Sequence, residues 1–285
     1  MNKTPRAFLE EVLSNCAASR NKNWFKFFSG FLGASAQRLE AEGHHKGFRI
    51  QMGAFECFDY YNFQEKDFSS AVRIKNLKAK YRLRNFVDYE VNENEIPAID
   101  SKLKGQLDKF LREPGLLTLG LFSSKMDDKW IELFSSFDRL HVLQVNVPIN
   151  DSIVQLLQNM LNQKQLLGLD ISSNLQEEEI DLVSKFLFQE QFQRLVLLSR
   201  NHNAQERFLA DAIEHREEFR GKSILWSCAD VKLHDESFKG KRLSEEVVEY
   251  RNNVFKVCYE MEKATSETKI EEIVRSASIT VMTLL

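Results

Sequence analysis

The sequence predicts an α/β fold in which strand-helix units stack side by side into a curved array. Three observations support this prediction. A pattern of about 25 residues recurs between Leu116 and Ile213. Each recurrence opens with the leucine alternation of a strand and then places two apolar residues one helical turn apart. The aligned positions are all apolar, although hydrophobic residues make up only 43% of the chain.

Four units share this spacing and begin at Leu116, Leu140, Leu166 and Phe192. The two further strand positions of the units are Leu119 and Leu121, Leu143 and Val145, Leu169 and Ile171, and Leu195 and Leu197. The apolar helical pairs are Leu133 and Phe137, Leu157 and Leu161, Val183 and Leu187, and Leu209 and Ile213. Strand-helix units of this period are typical of leucine-rich-repeat-like solenoids, which expose a curved binding surface. The pattern therefore predicts an interaction protein.

The chain of 285 residues divides into four predicted segments. Residues 1–42 form a small helical region, residues 43–100 a β-rich connector with an acidic linker, residues 101–240 the repeat units, and residues 241–285 a C-terminal capping helix and tail. A terminal element of different form is expected because a solenoid must cover its last apolar face. Ser244 is the predicted N-cap of that helix, and its apolar side carries Val247, Val248, Val254, Phe255, Cys258 and Met261.

Composition favours a cytoplasmic or nuclear protein. The net charge of −3 gives no global attraction to nucleic acid or to anionic membranes. Residues 1–12 lack the apolar core of a secretory signal, and the apolar tail at residues 279–285 is too short to span a bilayer. The four cysteines are widely spaced, which favours free thiols in a reducing compartment over a disulfide framework.

The sequence offers no catalytic residue, cofactor site or metal site. It contains no nucleophile elbow, no phosphate-binding loop, no zinc-protease helix and no dinucleotide fingerprint. His44 and His45 lie between glycines with no further ligand at a metal-binding spacing, so we interpret them as surface residues of a turn. Enzyme activity therefore remains a minor alternative.

A basic segment between Arg73 and Arg84 allows two interpretations. Its cations are Arg73, Lys75, Lys78, Lys80, Arg82 and Arg84, and apolar residues loosely alternate with them. Clustered cations near aromatic rings can bind nucleic acid. The favoured interpretation is one solvated face of a strand, because acidic residues follow at once in a chain that is net negative.

The N-terminal residues carry a resemblance to a known family. Pro5, Phe8, Leu9, Val12 and Leu13 reproduce the P-x-x-h-h-x-x-h-h opening of the F-box, and an aromatic stretch from Trp24 to Leu39 follows. The chain resembles the nematode-expanded F-box-like proteins with an irregular leucine-rich-repeat-like C-terminal domain. The resemblance implies that these five residues bind a Skp1-like adaptor protein and that the C-terminal domain holds a protein substrate of a cullin-type ubiquitin ligase. The alternatives are an ordinary helix packed on its own domain and a repeat scaffold without a ligase role.

The partner surface is predicted on the strands of the repeats. Alternate side chains of a strand point to opposite sides, so every second residue should leave the core. The predicted contact residues are Phe122, Val142, Gln144, Asn146, Gly168, Asp170, Ser172, Arg194, Val196 and Leu198. Exposed apolar side chains beside an arginine are typical of a binding hot spot. The alternative is that another part of the chain covers this face.

Overall fold

The computed structural model describes residues 30–51, 57–62, 78, 81–91, 96–198, 202–227, 239–252, 255–261 and 264–285. The chain divides into two compact units. Residues 1–125 and 137–141 belong to the first unit, and residues 126–136 and 142–285 belong to the second. Each unit is described by itself.

The described part of the first unit contains two helices and a mixed sheet. Its elements are α1 (Gly30–Glu42), β1 (His44–Ile50), β2 (Cys57–Asn62), β3 (Arg82–Tyr89), α2 (Ser101–Leu111) and β4 (Leu116–Leu121). Strand β1 pairs antiparallel with β2 and parallel with β3, and β3 pairs parallel with β4. Strand β3 is therefore hydrogen-bonded along both of its edges.

This position of β3 corrects the interpretation of a solvated strand face for Arg82 and Arg84, the cations of the basic segment that lie in β3; residues 73–77, 79 and 80 lie outside the described part of the chain. Leu83, Val87 and Tyr89 are at most 2% exposed, and Arg84 and Asn85 on the same strand are also buried. An interior strand is covered on both faces more readily than an edge strand, so the two arginines at this end of the segment are largely buried rather than solvated.

The second unit contains a layer of helices and a larger mixed sheet. Its elements are α3 (Asp128–Ser135), β5 (Leu140–Val145), α4 (Asp151–Gln163), β6 (Gly168–Ile171), α5 (Glu177–Leu187), β7 (Arg194–Leu197), α6 (His202–Glu214), β8 (Ser223–Ser227), β9 (Lys239–Arg242), β10 (Val247–Arg251), β11 (Phe255–Glu260), α7 (Ile270–Arg275) and β12 (Ile279–Leu284). Strands β5 to β8 are parallel neighbours in chain order. Strand β12 pairs antiparallel with both β8 and β11, and β10 pairs antiparallel with β11 and β9.

The apolar positions of the repeat form one side of this sheet. We term it the covered face, and on the parallel strands it consists of Leu143, Val145, Leu169, Ile171, Leu195, Leu197, Ile224 and Trp226. These side chains are at most 1% exposed. Burying a leucine-sized side chain stabilises the fold by roughly 1.5–3 kcal/mol, so the repeated leucines supply much of the driving force for folding of this unit.

The helices lie together on the covered face. Parallel strands that are neighbours in chain order are joined by right-handed crossovers, which place their helices on one side of the sheet. Hydrogen bonds link successive helices: Asn159 Nδ2 donates to Ser135 Oγ at 3.1 Å, and Ser184 Oγ donates to Asp211 Oδ2 at 2.5 Å. Helix α7 lies on the same side. Burial, and then the negative charge of Glu271 in α7, raises the pKa of Tyr250. Tyr250 lies in register with Val257, Met282 and, on the covered face, Ile224.

Two predicted helical pairs are misplaced. Phe137 of the first pair is buried but lies beyond the end of α3 at Ser135. Ile213 is 56% exposed, whereas Phe208 and Ala212 of the same helix are fully buried. The buried stripe of α6 therefore begins with Ala204 and runs one residue ahead of the predicted pair, Leu209 and Ile213.

The predicted C-terminal capping helix is wrong. The segment forms β10 and β11, in which buried Val248, Val257 and Tyr259 follow the period of a strand. Ser244 does act as a cap, but its hydroxyl accepts the N–H groups of Glu246 and Val247 in the turn between β9 and β10. Valine and aromatic side chains favour a strand here because β12 offers a pairing partner.

The predicted curved stack of leucine-rich-repeat-like units is also wrong. The parallel strands of the second unit continue into four antiparallel strands, so the sheet is mixed rather than a row of identical units. Strand β8 pairs with β7 along one edge and with β12 along the other, where Val281 lies opposite Leu225. The last parallel strand, beside which a terminal helix was expected to cover the apolar face, is therefore followed by a further strand.

Candidate functional site

The second side of the sheet in the second unit differs from the covered face. We term it the open face, and on the parallel strands it consists of Val142, Gln144, Gly168, Asp170, Arg194, Val196, Ser223 and Leu225. Helices α4 to α7 lie on the opposite side. The open face mixes charged, polar and apolar side chains, whereas the covered face of the parallel strands is entirely apolar. On the open face, half of the residues are buried (Gly168, Asp170, Val196 and Leu225) and half are half-buried (Val142, Gln144, Arg194 and Ser223).

A charged cluster occupies the open face of β5, β6 and β7. Asp170 is 3% exposed and accepts a hydrogen bond from Gln144 Nε2 at 3.1 Å. Its Oδ1 atom also accepts from Arg194 Nη2 at 3.1 Å. A buried carboxylate needs such partners, because an unpaired charge away from water is costly. The cluster therefore fixes the Arg194 guanidinium in place on the sheet.

The strand ends beside this cluster carry further predicted contact residues. Ser172 Oγ donates to Asn146 Oδ1 at 2.9 Å, and both side chains are half-buried. Leu198 follows β7 and is 39% exposed, and Val142 is half-buried. An exposed leucine thus lies just beyond β7, four residues along the chain from the arginine that Asp170 holds.

Two predicted contact residues are not exposed. Val196 is fully buried, so the expectation that it is an exposed member of the patch is wrong. Gly168 is also buried, and a β-carbon placed on it would lie 3.7 Å from Arg194 Nε. The Arg194 side chain therefore extends beside Gly168, which has no side chain to obstruct it.

Phe122 belongs to the first unit, where it follows β4 and is 46% exposed. Its backbone N–H donates to Tyr89 O at 2.9 Å. A β-carbon on Gly120 would come within 2.9 Å of the Phe122 ring, so the ring lies close over that glycine. Phe122 is therefore an isolated exposed aromatic residue of its own unit.

The predicted adaptor-binding residues lie outside the described part of the chain. They are Pro5, Phe8, Leu9, Val12 and Leu13. The basic segment is described only at residue 78 and from residue 81 onwards. Lys78 is exposed and lies 3.4 Å from Glu42 Oε2, whereas Arg82 and Arg84 are largely buried in β3. The two described arginines of this segment are thus not exposed enough to contact the phosphates of a nucleic acid.

A buried charged group of the first unit could not be predicted from the sequence. Lys46 Nζ donates to Glu113 Oε1 at 2.7 Å, and Arg82 pairs with the other oxygen of the same carboxylate. Burial, and then the positive charge of Arg82, lowers the pKa of Lys46 from 10.5 to about 8. The desolvation of Lys46 outweighs its attraction to a carboxylate that it shares. No local pattern revealed this pairing, because Lys46 and Glu113 are 67 residues apart.

The two histidines that precede Lys46 are not surface residues of a turn, as we had interpreted them. His44 and His45 lie in β1 and are at most 3% exposed. Burial lowers the pKa of His44, although its Nδ1 atom lies 3.1 Å from the Glu42 carbonyl oxygen. Within the described ranges, no group of three or more His, Cys, Asp or Glu side chains is arranged to hold a metal ion.

A cavity of about 470 Å³ lies between α5 and α6 of the second unit. Ser184 and Asp211 line it and are hydrogen-bonded to each other. Arg207 Nε lies 3.3 Å from Asp211 Oδ1, and Arg207 Nη2 lies 3.5 Å from Asp181 Oδ1. With Lys185 and Glu214, the lining holds two cations and three carboxylates, so its net charge is −1 and it does not favour an anionic ligand. Of the helices in the described ranges, none is long and apolar enough to cross a membrane.

Comparisons with known proteins add little to this geometry. No family model matches the chain. No curated protein matches it either. A solved structure described as a "putative phosphofructokinase" from Staphylococcus aureus is similar over 81% of this chain and 79% of that one, with 8% identity and a TM-score of 0.27. A likeness of this size carries no argument about fold or function.

The resemblance to the F-box-like family is therefore wrong. No family model supports it. The C-terminal half is a mixed sheet with antiparallel strands, not the repeat stack that the resemblance implied. The ubiquitin-ligase role and the Skp1-like adaptor depended on this resemblance and are not carried further.

Proposed function

We propose that the protein is a protein-binding module whose contact surface is the open face of β5, β6 and β7. The observations that support it are the exposure of Leu198 just beyond β7 and the Arg194 guanidinium on β7 that Asp170 holds in place. Both lie on a side of the sheet from which helices α4 to α7 are absent. Arginine and large apolar side chains are the usual anchors of protein interfaces.

The fixed position of Arg194 supports this role. A guanidinium is planar and presents several donors in one fork, so little freedom is lost when its remaining donors find acceptors. Asp170 engages Nη2, Nε is itself buried, and the Arg194 side chain as a whole is 21% exposed. A partner carbonyl or carboxylate that approaches the exposed part of this side chain would meet an oriented donor. The proposal assigns the protein no catalytic activity.

The experiment compares two exposed aliphatic residues on opposite sides of the second unit. Leu198→Glu places a charge on the open face, and Ile213→Glu places the same charge on the helical side, where Ile213 is 56% exposed. Proteins captured from a lysate by the wild-type chain should be lost with Leu198→Glu and retained with Ile213→Glu. The matched control excludes a general effect of added charge. Identical captured proteins with both variants would refute the assignment of the open face as the binding surface.

A further inference from the structure

Cations from distant parts of the chain align on the open face of the second unit. Lys239 of β9 lies opposite Arg251 of β10, which lies opposite Lys256 of β11. The same register continues through Thr283 of β12 and Ser223 of β8 to Arg194 of β7. We term these six residues the cationic row.

The side chains of the row point to one side of the sheet. Residues that lie directly opposite in neighbouring strands share a face. The Ser223 Oγ and Thr283 Oγ1 atoms lie 3.1 Å apart, which confirms this for the centre of the row. Arg194 belongs to the open face through its contact with Asp170. The cationic row therefore extends the proposed contact surface from β7 across to β9.

The three cations at the far end of the row lie directly opposite one another, and Glu249 is the carboxylate next to Arg251 on the same face of β10. Like charges directly opposite one another destabilise a sheet. In the part of the chain that the structure describes, no ion pair joins Lys239, Arg251 or Lys256 to an acidic side chain. Lys239 and Arg251 are exposed and Lys256 is half-buried, so all three can meet a ligand. The repulsion between these cations decreases when an anion binds beside them.

We propose that the cationic row binds an extended acidic segment of a protein partner. This inference rests on the proposed protein-binding function and names the chemistry of the partner. The row crosses from β9 to β7 through β10, β11, β12 and β8. At about 4.8 Å for each step between strands, it spans about 24 Å, which matches about seven residues of extended chain. The Ser223 and Thr283 hydroxyls lie at its centre and can donate to carboxylate or carbonyl oxygens.

The neighbouring residues favour a peptide over nucleic acid. Single-stranded nucleic acid is bound by cations together with aromatic rings on which the bases stack. The open-face residues described on β7 to β12 include no aromatic side chain. The adjoining row places Glu249 opposite Lys241, and places Leu225 opposite Val281. The positive charge is thus confined to a strip as wide as one extended chain, and the whole chain has a net charge of −3.

The test measures binding of a defined probe to the full-length chain. The probe is a fluorescent peptide of about eight residues that alternates glutamate and threonine, so that its carboxylates project to one side when it is extended. The row variant combines Lys239→Gln, Arg251→Gln and Lys256→Gln. The control variant removes three exposed cations elsewhere in the second unit, with Lys129→Gln, Arg216→Gln and Arg220→Gln. A short oligothymidylate is the competing probe.

The expected result is peptide binding that weakens by about tenfold or more in the row variant and by less than about twofold in the control variant. Glutamine keeps a long polar side chain at the two exposed positions and at half-buried Lys256, so circular dichroism should be unchanged. Equal binding by the two variants, or no binding to the wild-type chain, would overturn the proposal. Oligothymidylate that binds as tightly, with the same loss in the row variant, would overturn it in favour of nucleic acid. Absence of peptide binding while Leu198→Glu still abolishes partner capture would reject the acidic segment alone and leave the protein-binding function standing.

Discussion

The two sides of the sheet in the second unit carry different kinds of residues. On the covered face, Leu169 and Leu195 lie side by side and are fully buried. On the open face, the neighbouring positions hold Asp170 and Arg194, and Leu198 just beyond β7 is exposed. A face packed against helices accepts only apolar side chains of suitable volume. A face without that constraint can carry charges, so its sequence reflects contacts other than those of the core.

The largest expected effect is on the covered face. Leu169→Ala should lower the free energy of unfolding by about 2–5 kcal/mol, because it removes a fully buried side chain and leaves a cavity. Gly168→Ala is the adjacent control on the open face. Its added β-carbon would meet neighbours at 3.5 Å or more, which is ordinary contact, so the change should be within about 0.5 kcal/mol. Urea denaturation of both variants measures the difference, and equal losses would remove the distinction between the two faces.

A smaller loss is expected from the charged cluster of the open face. Asp170→Asn should lower the free energy of unfolding by about 1–3 kcal/mol, because Arg194 loses the carboxylate that holds it. Adding Arg194→Met to this variant should recover part of the loss, since the uncompensated charge is then gone. Denaturation of the two single variants and the double variant gives the coupling energy. Strictly additive losses would mean that the two side chains do not stabilise each other.

Lys46 of the first unit is a more deeply buried cation than Arg194 of the open face. The pKa of Lys46 is lowered from 10.5 to about 8 by burial and then by Arg82. Between these two pH values the unfolded chain binds more protons at this residue than the folded chain does. Stability should therefore rise as the pH increases from about 8 towards 10.5, and the residue should contribute no pH dependence below that window.

Lys46→Met isolates this contribution from other groups that titrate at alkaline pH. The difference in the free energy of unfolding between the wild-type chain and Lys46→Met should change across the window and remain flat between pH 6 and about 7. Thermal denaturation at a series of pH values measures it. A difference that is constant from neutral to alkaline pH would show that the lysine is not desolvated in the folded protein.

The sequence predicted the covered face of the parallel strands well. Its leucines recur because every strand-helix unit must bury the same side, and that requirement is local. The strands after Ser244 were misassigned because Val248, Phe255 and Cys258 fit helical spacing as well as a strand. Only the pairing of β11 with β12 decides between the two, and this pairing joins residues that are remote from the segment's own pattern.

The candidate site could be predicted only in part. Alternation along β6 and β7 placed Asp170 and Arg194 on the second side of the sheet, as the structure has them. It could not show that Val196 is buried, since burial depends on what lies over a side chain rather than on its direction. The cationic row could not be predicted from the sequence. Lys239, Arg251 and Lys256 meet through the register of strands that had been interpreted as a helix.

Side-chain labelling at two consecutive residues tests the account most directly. Leu197 lies on the covered face and is 1% exposed, whereas Leu198 follows it and is 39% exposed. Single cysteines are introduced as Leu197→Cys and Leu198→Cys, and their alkylation in the native protein is followed by peptide mass spectrometry. The account predicts that the cysteine at position 198 reacts under native conditions and that the cysteine at position 197 reacts only when the protein unfolds. Equal protection of both positions in chains that remain folded would contradict the existence of an open face.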